Sequence, residues 1–156
     1  GNLGHPGSVH VLSKKNNFWQ NSQKHSLEAF HEKEISTKNA PGAIGPYSQG
    51  IEAAGKTVYV SGQIPIDPAT GEFAGKDIVS QTKQSLTNVK NILQLPGIPW
   101  TRGKNTVLLA DIADFGAMNE VYGTFFTGVC PARACFQVAA LPKGALVEIE
   151  AFAVKD

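Results

Sequence analysis

The chain has 156 residues, enough for one domain with one core, and its 42 % hydrophobic and 17 % charged residues are an ordinary globular composition. No apolar run approaches the roughly 20 residues that a membrane-spanning helix needs. Charge and histidine divide unevenly. Residues 36–156 hold ten Lys/Arg and ten Asp/Glu, so the formal +1 comes from the first 35 residues, with four Lys against three Glu. That neutrality gives no electrostatic footprint for nucleic acid. All four histidines (His5, His10, His25, His31) lie in the first 31 residues, which excludes a His-based triad or His-ligated metal from the rest of the chain. Cys130 and Cys135 lack CxxC spacing and form no disulfide framework, which suits a reducing compartment. No cofactor and no metal is expected.

In chain order, residues 1–33 read as an N-terminal extension: a tag remnant, a targeting segment or a linker. "GNLGHPGS" begins without Met, and "KKNNFWQNSQKHS" is polar apart from Phe18 and Trp19. The extension has no arginine, which counts against a transit peptide. A cytoplasmic protein is the default expectation, with mitochondrion or another organelle the alternative if the extension is a targeting segment. The domain is expected over residues 34–156. "EISTK" is a short strand candidate leading into the loop "NAPGAIGPYSQG". "GIEAAGKTVYVSGQIP" reads as two strands joined at Ala54-Gly55-Lys56, with Val58 and Val60 alternating against Tyr59 and Ser61.

A helix is predicted over 77–94, with Asp77 as cap, Ile78, Leu86, Val89, Ile92 and Leu93 near one face, and Pro96-Gly97 ending it. "NTVLLAD" is a buried strand. A second helix is predicted over 115–126, capped by Asp114, with Phe115, Met118, Val121, Tyr122 and Phe125 as its apolar side. A final hairpin completes the order β-β-β-α-β-α-β-β. The economical arrangement is an α+β fold, a mixed six-stranded sheet with two helices on one face.

Two helices cover only one side of such a sheet. In "LVEIEAFAV" Val147, Ile149, Ala151 and Ala153 point one way, and Leu146, Glu148, Glu150, Phe152 and Val154 the other. In "ARACFQV" Arg133, Cys135 and Gln137 oppose Ala134, Phe136 and Val138. An apolar face with charges in fixed places suggests a subunit interface with polar clefts. From the pattern alone, Arg133 serves equally well as a ligand anchor or as a cross-strand ion partner of Glu148 or Glu150.

The blocks "APGAIGPYSQG", "YVSGQIPIDPATGE", "TVLLADIADF", "NEVYGTFF" and "PARACFQVAALPKGALVEIEAFAV" occur in that order. They closely resemble the Rid family of reactive intermediate deaminases, the RidA-type enamine/imine deaminases, over about residues 34–156. The resemblance implies a chorismate-mutase-like fold assembled as a homotrimer with clefts between subunits. It also implies hydrolysis of 2-aminoacrylate (2-iminopropanoate) and related 2-imino or 2-enamino acids to 2-oxo acids and ammonia. Carried over residue by residue, Arg133 of "PAR" would bind the substrate carboxylate, Glu148 of "EIE" would position or activate water, and Tyr47 of "GPYSQG" would join them as catalytic. Asn119, Ser61, Gly62 and Cys135 would complete substrate binding, Cys135 through backbone groups more than its thiol. Each has a plainer reading: Tyr47 as a turn-flanking aromatic, Asn119 as a solvent-facing helix residue, Cys135 as packing.

Two stretches depart from the family pattern. "LQLPGIPWTRGKNTV" places prolines and Trp100 where small or polar residues are common, so the fourth strand is expected to start late. Cys130 stands where an aromatic residue commonly precedes the proline next to Arg133. The competing functions are a nuclease or translation inhibitor, and a non-catalytic trimer that binds small carboxylic acids or acts as a chaperone.

Overall fold

The computed structural model describes residues 32–155. Expectations for the N-terminal extension therefore lie outside the described residues, Glu32 and Lys33 excepted. The chain runs β1 (Lys33–Ile35), β2 (Gly50–Glu52), β3 (Lys56–Gln63), α1 (Ile78–Gln94), β4 (Gly103–Leu109), α2 (Phe115–Gly123), β5 (Ala132–Gln137) and β6 (Val147–Lys155). Single 3-10 turns lie at Ile112–Asp114 and Pro142–Gly144. The element order is the expected one, and the fold is α+β with two helices.

The expected single six-stranded sheet is divided. β3, β6, β4 and β5 form a four-stranded sheet in that spatial order, and β1 pairs with β2 in a separate antiparallel ribbon. The turn at 53–55 therefore moves the chain from one sheet to the other instead of closing a hairpin. The expected final hairpin is also absent, because β4 lies between β5 and β6, parallel to β5 and antiparallel to β6. Burial explains the choice. Gly103, Asn105, Val107 and Leu109 on β4 are all buried, and a strand this buried needs ladder partners on both edges. β6 can approach so closely because residue 103 is glycine: a Cβ there would overlap the Phe152 carbonyl.

Alternation is as expected on β6, where Val147, Ile149, Ala151 and Ala153 are buried. They meet Leu86, Val89 and Leu93 of α1, and Met118 and Tyr122 of α2, in one core. α1 packs on β3 and β6 and against α2. Asp77 caps α1, its Oδ1 accepting the Ser80 amide at 2.9 Å. Ile92 departs from expectation: it is 41 % exposed, because the face turned inward runs through Gln81, Thr82, Ser85, Leu86, Val89 and Leu93. That face is more polar than hydrophobicity suggested. Gln81 bridges two loops, its Nε2 donating to Gly75 O and its Oε1 accepting the Leu146 amide.

α2 is three residues shorter than predicted, since its end tightens into i→i+3 bonds from Thr124, Phe125 and Phe126 to Val121, Tyr122 and Gly123. Asp114 makes no side-chain cap bond. Asp111 instead caps the preceding 3-10 turn by accepting the Ala113 amide. β4 does not start late: it begins at Gly103, two residues before the predicted strand, and pairs with β6 from that residue onward. No helix among the described residues is long and apolar enough to cross a membrane.

Candidate functional site

Arg133 is placed by β5. In the parallel ladder it lies beside Asn105 of β4, so its side chain emerges on the helix-covered face. There α2 presents Phe115, Asn119 and Tyr122 at i, i+4 and i+7, one stripe of a helix. Arg133 Nη1 donates to Asn119 Oδ1 at 2.7 Å. Its Cζ lies 4.7 Å from the Tyr122 ring centroid, 5.1 Å from that of Tyr47 and 5.6 Å from that of Phe115. Three rings and an amide thus hold one guanidinium, an arrangement in which cation–π attraction restrains its plane.

The Tyr47 loop is fastened beside β5 by Ser48, whose Oγ donates to Cys130 O at 2.6 Å and whose amide donates to Pro131 O at 3.2 Å. Gly45 keeps that loop close. A Cβ there would lie 3.0 Å from Asn119 Nδ2 and 3.3 Å from Arg133 Nη2. Tyr47, Asn119 and Arg133 are therefore brought together, with Cys135 two residues along the same face of β5. Burial pushes the Cys135 and Cys130 thiols up from their ordinary value, which keeps both protonated at neutral pH. Tyr122, fully buried, is pushed up to about 12 by the same desolvation and stays a neutral phenol.

Glu148, Ser61 and Gly62 are elsewhere. Glu148 lies opposite Leu108 of β4, three residues along from Asn105, so it points from the other face of the sheet. The carboxylate lies over Gly62 of β3, where a Cβ would collide with it, the Glu148 Cδ being 2.8 Å away. Ser61 and Gly62 lie at the β-bulge between Val60 and Gln63. Within one chain, a structural ion pair between Arg133 and Glu148 or Glu150 is thus excluded by geometry: β4 separates their strands and the side chains leave opposite faces.

Among the described residues, no helix lies over the face that carries Glu148. That face exposes Tyr59 (79 %), Phe136 (48 %) and Phe152 (39 %). A hollow of about 390 Å³ on this face is lined by Tyr59, Ser61, Lys104, Thr106, Glu150 and Phe152. Among the described residues no group of three or more His, Cys, Asp and Glu is gathered to hold a metal ion. In the sequence Tyr122 and Phe115 read only as core, and nothing marks Gly45 or Asn105. The signal that was available was the 115–119–122 spacing, which stacks the two rings and the cleft asparagine on one stripe of helix.

Comparison with known proteins agrees with this architecture. The family model described as endoribonuclease L-PSP matches residues 37–155. A 2-iminobutanoate/2-iminopropanoate deaminase of Mus musculus is 51 % identical over 124 residues, covering 79 % of this chain and 91 % of its own. The protein of that name from Homo sapiens is 50 % identical over 122 residues, 78 % of this chain and 88 % of its own. The crystal structure of E. coli TdcF with bound serine superposes with a TM-score of 0.62 at 47 % identity, covering 80 % of this chain and 99 % of that one. The chain belongs to the endoribonuclease L-PSP family, also called YjgF/Rid. Within it, the relatives near 50 % identity include the 2-iminobutanoate/2-iminopropanoate deaminases.

Proposed function

We propose that this protein hydrolyses 2-imino acids, and the 2-enamino acids from which they form, to 2-oxo acids and ammonia. The observation that supports this reading best is the Arg133 cluster, an arginine held by three rings and Asn119, in a chain half identical to named deaminases. Asn119 takes one N–H of the fork, and the remaining donors grip a substrate carboxylate by charge-assisted hydrogen bonds. 2-Aminoacrylate tautomerises to 2-iminopropanoate, whose C2 is already electrophilic. Water adds to C2 as Glu148 takes one of its protons and passes it to the imine nitrogen, giving a carbinolamine. Glu148 then takes the carbinolamine hydroxyl proton and delivers it to nitrogen as the C–N bond breaks, and pyruvate and ammonia leave. Tyr47 lines the carboxylate end beside Arg133, and Ser61 and Gly62 border the Glu148 end. Positioning and one proton shuttle suffice, because the imine needs little activation.

Because Arg133 and Glu148 leave opposite faces of one sheet, a complete site takes Arg133 from one copy and Glu148 from another. A homotrimer with a cleft at each subunit contact satisfies this, and the exposed Tyr59, Phe136 and Phe152 are the surface it covers. Removal of such imines in the cytoplasm would spare the pyridoxal-phosphate enzymes that release them.

The test is pyruvate and ammonia release from 2-aminoacrylate generated in situ, wild type against Arg133→Ala. Loss of a charged hydrogen-bonding partner, about 1.5–3 kcal/mol, predicts a roughly ten- to hundredfold fall in kcat/KM. No acceleration by folded wild type would move the reading to carboxylate binding without turnover. RNA cleavage surviving Arg133→Ala would move it to the nuclease reading.

A further inference from the structure

A buried line of hydrogen bonds runs behind Arg133, starting in the 95–105 segment that departs from the family pattern. Trp100 Nε1 donates to Asn105 Oδ1 at 2.8 Å, and Asn105 Nδ2 donates to the Tyr122 hydroxyl oxygen at 2.7 Å. The direction of this line is forced. An indole N–H can only donate, so the amide turns its oxygen to Trp100 and its NH2 to the phenol. Asn105 and Tyr122 are fully buried, and the Trp100 ring is held edge-on by Phe126 at 4.9 Å and Phe125 at 6.2 Å.

Each link leads to the anchor. Asn105 is the β4 register partner of Arg133, on the same face of the sheet. The Tyr122 ring is the nearest of the three around the guanidinium, at 4.7 Å. A ring tied at its hydroxyl cannot slide or tilt freely, and a guanidinium lying on it inherits that orientation. Two-point binding of a carboxylate depends on the plane of the fork.

We propose that Trp100, Asn105 and Tyr122 are positioning residues: their hydrogen-bonded line sets the Tyr122 ring, and the ring sets the plane in which Arg133 meets a carboxylate. This rests on the reading of Arg133 as the carboxylate anchor. None of the three touches the reacting atoms, so their effect belongs to carboxylate affinity and not to the proton shuttle.

The experiment measures binding of pyruvate and of pyruvamide, which lacks the carboxylate, to wild type, Tyr122→Phe, Trp100→Phe, the double variant and Arg133→Ala. KM, kcat and Tm are recorded alongside. Tyr122→Phe keeps the ring under Arg133, and Trp100→Phe keeps an aromatic ring against Phe126. Loss of one neutral hydrogen bond predicts about fivefold weaker pyruvate binding and a matching rise in KM, with kcat retained. The double variant should be no worse than either single one, since both break the same line. Pyruvamide affinity should not change in any of these variants. If Tyr122→Phe does not fold, Trp100→Phe carries the same test. Unchanged pyruvate affinity in folded relay variants, with Arg133→Ala deficient, would overturn the positioning role and leave the anchor standing. Equal losses for pyruvate and pyruvamide would also overturn it. Pyruvate binding by Arg133→Ala as tight as wild type would remove the anchor itself, and this proposal with it.

Discussion

Arg133 is held by Asn119 through one N–H and by three aromatic rings, while Glu148 leans on a residue with no side chain at all. That second contact gives a sharp expectation. In Gly62→Ala the new methyl occupies the place of the Glu148 carboxylate, whose flexible end swings aside at little cost to the exposed strand. The Tm should stay close to wild type while kcat falls on the order of a hundredfold, the loss that the proposed role of Glu148 as general base predicts for a displacement of about 1 Å. A large fall in Tm with kcat retained would contradict the placement of Glu148. Cys135 gives the opposite expectation. Burial raises its pKa, so no thiolate is available for chemistry, and Cys135→Ala should retain most of the activity and react as wild type with 2-aminoacrylate. Arg133 and Glu148 stood out in the sequence because charge sits where a strand would be apolar. Tyr122 and Gly45 did not, because an aromatic in a helix and a glycine in a loop acquire their roles only from what folds against them.

At the scale of elements, α1 was the most legible, because cap, periodicity and Pro-Gly stop agree with one another. Its cap can be tested by pH. Hydrogen bonds from the Ser80 amide and hydroxyl hold Asp77 below the ordinary aspartate value of 3.8. A depressed folded-state pKa stabilises the fold above the unfolded value and is lost as pH falls through the folded one. Asp77→Ala should therefore lower Tm at neutral pH, and the difference from wild type should close as pH falls below 3.8. A difference independent of pH would mean that the carboxylate is not what holds the helix start. Strand pairing was not legible. Alternation told which residues of β6 face the core, but nothing local told that β6 pairs with β3 and β4 and not with β5. That choice depends on the need of β4 for two neighbours, a demand set by the whole sheet. The late start expected for β4 failed for a related reason. Trp100 is not a disturbance there: it packs against Phe126 and bonds Asn105 inside the strand.

For the whole molecule, the order of strands has one consequence for function. β4 lies between the strand of Arg133 and the strand of Glu148, and the two side chains leave opposite faces. The sequence placed them within 16 positions of each other and suggested a shared cleft. In the fold they can share one only across a contact between copies, on a face that already exposes Tyr59, Phe136 and Phe152. The measurement that tests this most directly mixes two variants expected to be inactive, Arg133→Ala and Glu148→Ala, by coexpression, and assays imine hydrolysis by the mixed oligomers. A contact between an Arg133→Ala chain and a Glu148→Ala chain brings an intact Arg133 to an intact Glu148 in one of its two orders. Random mixing in a closed ring should then restore about a quarter of the sites. Activity well above either parent is the predicted result. Mixed oligomers, verified by native mass spectrometry, that remain as inactive as both parents would show that the two residues do not meet between copies.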